Sequence, residues 1–337
     1  MRRKLHSVIY EITERCNQRC TYCYNYWLGM NRKLKGDVPP ERWLEITDRL
    51  LESASLKRIT LSGGEPLLYE GLDDLCARLD GMGLKIGMIT NGVLLTEDRV
   101  VRLLDRGVEL FEITLLSYDG KTHDALTGHR SFESVVRAMR RVKKHGGELC
   151  TTIIGTSENI SHVEKTAELA ITLDSDAIMF NRVNLGGRST GRYDLYPRRG
   201  DLLKALEALN DLSRTYGVFV HCGVPIPYCV ADPKKFRRIS FGRCPADIHL
   251  SYLTVESDGT LRTCNHTPLK IINLMEDGFD SLFSTAVWKD FTGKFPEMCL
   301  RCRYLKKCRA SCRAAGYLHF GEWGKPDPFV LEMRRSR

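Results

Sequence analysis

The chain has 337 residues, 42% of them hydrophobic, 28% charged and 9% aromatic, which excludes a disordered or collagen-like chain and leaves room for one large domain and a small one. Lysine and arginine outnumber the acids 51 to 42, a net charge of +9, which suits an acidic electron donor, an acidic peptide or nucleic acid and does not by itself choose among them; basic and aromatic residues are not interleaved as in a single-strand binder, and nucleic acid is not expected. Thirteen cysteines, an odd number, cannot all pair within one chain, and metal or redox chemistry is the expected use of clustered thiols in a reducing compartment.

The N-terminus carries Arg2, Arg3 and Lys4, but Glu11 and Glu14 interrupt any apolar segment before a secretory signal could form. The most apolar stretch, Gly217 to Ala231, contains His221 and two prolines and is too short to cross a bilayer. A cytoplasmic protein with no membrane partner is expected. Ser7 to Thr13 reads as a buried strand. Further short strands are predicted over Arg58 to Ser62, Lys85 to Thr90, Leu110 to Leu116, Leu149 to Ile154 and Ala177 to Asn181. Helical spacing alternates with them over Pro40 to Ser53, Leu72 to Gly81, Thr96 to Asp105, Phe132 to His145 and Ser161 to Leu173. Repeated βα units predict an α/β fold, a partial (β/α)6 TIM-like barrel over residues 1–216 that closes with a helix from Asp201 to Tyr216. The basic run Arg137 to Lys144 is expected to be the solvated face of a helix. Over residues 217–337 the periodicity fades and eight of the thirteen cysteines occur. A small, irregular, cysteine-rich α+β domain that needs staples is expected there.

Directly after the first strand stands Cys16-Asn17-Gln18-Arg19-Cys20-Thr21-Tyr22-Cys23, a C-x3-C-x2-C triplet. Three thiolates on one loop can hold three corners of a cubane iron–sulfur cluster and leave the fourth iron open. Structural zinc would want a fourth ligand nearby, and Asn17 and Asn25 are poor ones. With Tyr22 before the last cysteine, the triplet resembles that of the radical S-adenosylmethionine superfamily. The resemblance implies that Cys16, Cys20 and Cys23 bind a 4Fe–4S cluster whose open iron chelates S-adenosylmethionine. It also implies reductive cleavage of that molecule to a 5′-deoxyadenosyl radical, which takes a hydrogen atom from substrate. Gly63-Gly64-Glu65-Pro66 resembles the family's GGE motif, Thr90-Asn91-Gly92 and Ser117-Tyr118-Asp119-Gly120 resemble further segments at strand ends, and Thr127-Gly128-His129-Arg130 resembles one that usually carries Arg where Thr127 stands. By resemblance Tyr22, Gly63, Gly64, Glu65, Asn91 and Ser117 contact the cofactor, with Arg130 substituting for the missing Arg.

The second constellation is Cys244, Gly259 after fourteen residues, Cys264 after four more, then Cys299-x2-Cys302-x5-Cys308-x3-Cys312. Alone, the last run could be a zinc knuckle. Beside the radical motif it resembles the SPASM domain, whose members hold two auxiliary 4Fe–4S clusters. That resemblance implies Cys244, Cys264 and Cys312 for the first cluster and Cys299, Cys302 and Cys308 for the second. The family's last Cys follows a D-P-x pattern, and here Asp327-Pro328-Phe329-Val330 ends in Val. The second site is therefore expected to lack a ligand, to use Asp327 or His319, or not to form. Cys229, in preference to Cys222, is expected to complete the first. Cys76 and Cys150 are expected in the core, and His221, His249 and His266 in structural or surface roles. Sulfatase-maturing relatives carry an Asp base after the cysteine that Cys264 matches; Asn265 cannot accept a proton, which argues against that activity.

These readings converge on a radical S-adenosylmethionine enzyme that matures a peptide or protein by forming a thioether, a carbon–carbon bond or an oxidised bond. A tailoring enzyme for a small molecule or tetrapyrrole is the alternative, and a noncatalytic metal-binding module a remote one. An electron donor of flavodoxin or ferredoxin type is expected. The short stretch before the first strand leaves no room for a leader-recognition domain, so a separate recognition protein, or no leader, is expected.

Overall fold

Strand β1 (Ser7–Thr13) is buried on both faces, with Val8, Tyr10 and Ile12 fully enclosed and Ile9 and Glu11 nearly so. A parallel strand covered above and below has this character. In the computed structural model, which describes residues 5–244 and 253–335, β1 pairs in parallel with β2 (Arg58–Gly63). Strands β3 (Lys85–Thr90), β4 (Val108–Thr114), β5 (Glu148–Gly155) and β6 (Ala177–Arg182) then follow in order, each parallel to the last. Helices α1 (Pro40–Ser53), α2 (Leu72–Gly81), α3 (Glu97–Asp105), α4 (Gly120–Thr127), α5 (Phe132–Lys144) and α6 (Val163–Thr172) lie between them in the chain. Because the six strands are parallel, their C-terminal ends share one rim, where barrel enzymes place their chemistry.

Five of those six helices were legible from apolar spacing; α4 was not, because eight residues hold only two turns. Its signals are local: the Asp119 carboxylate caps Thr122 N at 2.8 Å, and Gly128 ends the helix at φ 61°. On α5, Val135, Ala138, Met139 and Val142 face the core, while Lys143 and Lys144 pair with Asp176 and Glu97. The basic run is thus the outer face of an amphipathic helix.

The sheet continues past residue 216. After α7 (Arg199–Tyr216), β7 (Phe219–Cys222) and β8 (Ile239–Phe241) extend it in parallel beyond β6. At the other edge β9 (Leu253–Glu256) lies parallel to β1 and carries β10 (Thr260–Arg262) and β11 (Lys270–Asn273) as antiparallel neighbours. The result is one 11-stranded sheet in the order β11-β10-β9-β1-β2-β3-β4-β5-β6-β7-β8. Strands of three or four residues are too short to show an alternation, which is why this region reads as irregular in sequence. Short helices α8 (Ala286–Gly293), α9 (Glu297–Leu300), α10 (Leu305–Cys308), α11 (Arg313–Phe320) and α12 (Pro328–Arg335) complete the cysteine-rich part.

Two buried ion pairs join that part to the barrel. Arg262 on β10 meets Glu11 on β1 and lies 2.8 Å from Glu256, and its Nη1 donates to Thr267 O at 2.6 Å. Arg182, ending β6, meets Asp327, whose carboxylate also accepts from Ser311 Oγ and from Cys312 N. Among the described residues no helix is long and apolar enough to span a membrane. Residues 1–4, 336 and 337 of the charged termini, and His249, lie outside the described residues.

Candidate active site

The loop carrying Cys16, Cys20 and Cys23 leaves β1 at the rim and is held by neighbouring strand ends. Gly64 N donates to Thr13 O at 2.8 Å and Glu65 N to Arg15 O at 2.8 Å. A Cβ on Gly64 would lie 2.1 Å from Arg15 O, and one on Gly63, at φ +127°, would lie 2.3 Å from Thr13 O. Only glycine allows so close an approach. Asn25 Nδ2 donates to Gly63 O at 2.9 Å and Asn91 Nδ2 to Asn17 Oδ1 at 2.7 Å, which ties the loop to the ends of β2 and β3. From α4, Thr127 O and Leu126 O accept from Arg19 N and Thr21 N at 3.0 and 2.9 Å. Beyond β6, Ser189 N donates to Cys23 O at 3.3 Å. The ends of β2 and β3, the last turn of α4 and the segment after β6 therefore hold the loop and its flanking residues.

The three thiols are neighbours. Burial pushes Cys16 up to about 11, with the Glu65 and Cys23 charges adding to it, and pushes Cys20 up to about 12, with Cys23 and Cys16 adding. Burial also raises Cys23, which the Arg188 guanidinium partly offsets. Among the described residues no three Cys, His, Asp or Glu side chains converge as a single metal ion requires. All-sulfur donors suit iron–sulfur chemistry, in which a cubane gives each thiolate a separate iron. Binding iron would displace the thiol protons.

The other predicted contacts divide. Gly63, Gly64 and Asn91 stand at the rim against the loop. Tyr22 is buried, with its hydroxyl beside the Cys20 thiol. Glu65 is 1% exposed and accepts from Thr90 Oγ1, Asn91 N and Leu67 N at 2.7, 2.8 and 3.1 Å. Burial raises its carboxyl to about 7. It thus locks β2 to β3, and the structure spends this carboxylate internally. Ser117 is fully buried and shares a 2.8 Å bond with His162 Nδ1 while accepting from Asp119 N at 2.9 Å. Arg130 is exposed, and Thr127 is buried and bonded to His129 O at 2.9 Å. The residues missed in sequence are Asn17, Asn25, His162 and Arg188. Asn17 and Asn25 lie within or just after the triplet and could have been considered as struts; His162 and Arg188 carry no local signal.

The remaining thiols form two groups. Cys244, pushed up to about 12 by burial, also feels Cys264; Cys312, raised by burial, feels both Cys244 and Cys264. Asn184 Nδ2 donates to Cys312 Sγ at 3.5 Å. Cys299, pushed up to about 11 by burial, feels Cys308, Cys229 and Cys302, and Cys308, raised by burial, feels Cys229. Cys229, expected to complete the Cys244 group, stands on the loop after β7, where its charge acts on Cys299 and Cys308. Cys76, Cys150 and Cys222 are buried apolar residues. Asn265 Nδ2 donates to Tyr24 OH at 2.7 Å, and His266 packs 4.2 Å from the Tyr24 ring.

Residues 10–170 match the family model described as the radical SAM superfamily. This region is a radical SAM domain. The full chain is similar in fold to anSMEcpe with bound AdoMet, at 22% identity and TM-score 0.76 over 99% of this chain and 92% of that one. It is also similar to SuiB of Streptococcus suis bound to its precursor peptide SuiA, at 17% identity and TM-score 0.74 over 93% and 73%. A third structure, native anSMEcpe with bound AdoMet and Cp18Cys peptide, gives 22% identity and TM-score 0.75 over 99% and 95%. Both resemblances extend beyond the radical SAM domain into the cysteine-rich third.

Proposed function

We propose that this radical SAM enzyme takes a hydrogen atom from a peptide or protein held over the barrel rim, as a post-translational maturase. One observation carries the radical step: three neighbouring thiols on a loop clamped by the ends of β2 and β3, by α4 and by the segment after β6, against a glycine pair with no room for a side chain. Cys16, Cys20 and Cys23 would hold a 4Fe–4S cluster, and that cluster with S-adenosylmethionine supplies a 5′-deoxyadenosyl radical when reduced. Gly63 and Gly64 keep the rim narrow beside the loop. Glu65 and Asn91 set its shape through Thr90 and Asn17, and Tyr22 shields the Cys20 side from water. Cys244, Cys264 and Cys312, and separately the group around Cys299, would hold auxiliary clusters that accept an electron or bind substrate.

The peptide reading is supported by likeness in fold, over 99% of this chain, to a protein seen with AdoMet and a Cp18Cys peptide and, over 93%, to one seen with SuiA. Asn265, committed as a donor to Tyr24, is no base. The net charge of +9 suits an acidic flavodoxin- or ferredoxin-type donor. A cytoplasmic site completes the proposal. The test is anaerobic reconstitution with iron and sulfide, then dithionite and S-adenosylmethionine. Formation of 5′-deoxyadenosine is expected, and its loss when Cys16, Cys20 and Cys23 are all changed to Ala; absence of the product from wild type would sink the radical reading. Deuterium transferred from a labelled candidate peptide into 5′-deoxyadenosine then tests the substrate class.

A further inference from the structure

Thiols of the second C-terminal group come from two segments far apart in sequence. Cys299, Cys302 and Cys308 lie on the α9–α10 turn, where Cys302 N donates to Cys299 O at 3.0 Å and Cys308 N to Tyr304 O at 2.7 Å. The loop after β7 crosses this turn. Its Tyr228 backbone lies beside the Cys308 sulfur, and the Tyr228 ring sits 5.8 Å from that of Tyr304. Ser311 Oγ donates to Pro225 O at 3.2 Å, which fastens the start of the same loop. Cys229 follows Tyr228 directly, is exposed, and acts electrostatically on both Cys299 and Cys308. Val330, by contrast, is 6% exposed beside the core residues Phe329 and Met333, and α12 offers this turn no thiol.

We propose that Cys229 is the fourth thiolate of the second auxiliary site, delivered with Cys299, Cys302 and Cys308 from the loop after β7 instead of from the last segment of the chain. The proposal rests on the auxiliary-cluster reading given above. Four thiols from two packed segments meet the ligand count of a closed 4Fe–4S cluster. Such a site has no open iron, which suits electron transfer better than substrate binding. The other group supplies three cysteines among the described residues.

The experiment uses the full chain with Cys16, Cys20 and Cys23 changed to Ala, so that only auxiliary iron is counted. After anaerobic reconstitution, iron and sulfide are assayed and electron paramagnetic resonance is recorded on the reduced protein. Adding Cys229→Ala is expected to remove about four irons, or to leave a three-iron signal, and to abolish the same resonance that Cys299→Ala abolishes. Cys264→Ala should abolish a different resonance. Cys229→Ser, which keeps an oxygen ligand, should retain the iron with a shifted spectrum. Because Cys229 is exposed, neither change disturbs the core. Unchanged iron and spectrum in Cys229→Ala, or loss of the Cys264-dependent signal instead, overturns the assignment. If the triple-Ala parent binds no iron, the auxiliary-cluster reading fails and takes this assignment with it.

Discussion

The radical loop brings three thiols together within eight residues of continuous chain, Cys16 to Cys23, whereas the group around Cys299 reaches back seventy residues to Cys229. The first is local in sequence but held by distant partners: Gly63, Asn91, Thr127 and Ser189 all touch the loop or the residues just after it through backbone or amide bonds. The second is non-local in its thiols, which a single packed loop brings together. Spacing therefore announces the first and conceals part of the second. The difference also separates what each can tolerate, since a loop pinned at many points by backbone has little freedom to adjust.

The harshest way to break the radical loop is Gly64→Val. A side chain there meets Arg15 O at 2.1 Å, so loop or strand must move. We expect 5′-deoxyadenosine formation to fall at least 100-fold, about 3 kcal/mol or more in barrier. Gly200→Ala, at a position with open space around it, should leave the rate unchanged. Product chromatography on both variants checks this; equal rates would show that the close approach does not matter.

Arg262→Leu tests how firmly the cysteine-rich third is joined to the barrel. Arg262 is fully buried against Glu11 and Glu256, and removing one member of such a pair leaves charge without compensation, at a cost of about 3–5 kcal/mol. Denaturant unfolding of the holoprotein should show a single transition moved to lower denaturant. Two separated transitions would mean that β9–β11 and the barrel unfold apart. Arg182→Leu is expected to behave similarly at the Asp327 junction.

Asn25→Ala removes one strut from the loop and leaves Gly63 O without its donor. The expected loss is about 1 kcal/mol in stability, with faster release of first-site iron to a chelator. An unchanged release rate would mean that the remaining struts suffice.

The smallest expected effect lies away from all the thiols. Burial lowers His123 to about 4, and its Nδ1 accepts from Leu116 N at 3.3 Å. The folded protein thus holds this imidazole neutral while the unfolded chain protonates it near 6.5. The sign follows from proton counts: stability is complete above 6.5 and is lost as pH falls towards 4. Between pH 7 and 5.5 the wild type should lose about 1 kcal/mol relative to His123→Gln, measured by anaerobic urea unfolding at both values. A constant difference would contradict it. The same subtraction cancels Glu65, whose raised carboxyl shifts stability in the opposite sense over this range.

Much of the barrel could be read from the chain because each βα unit is long enough to display its period. The six strands and five of the helices match the apolar spacing to within two or three residues. The cofactor contacts were less legible. Glu65 and Ser117 sit where their motifs put them, yet their polar atoms are engaged with Thr90, Asn91, Asp119 and His162. A motif specifies position along a strand, whereas the partner of a buried polar group is decided by which neighbouring strand end comes within hydrogen-bonding reach.

By itself the sequence determined the triplet, the glycine pair beside it, the repeated βα plan and the existence of a second cysteine-rich region. All of these are short-range patterns, and short-range geometry is written in spacing. Tertiary structure alone decided that the sheet runs on through β7–β11, that Arg262 and Arg182 clamp its cysteine-rich part to the barrel, and that the loop carrying Cys229 crosses the turn carrying Cys299 and Cys308. Those outcomes depend on chain crossings over scores of residues. No local propensity encodes a crossing; it is selected by burying Val330 and Phe329 in the core and satisfying Arg182 with Asp327.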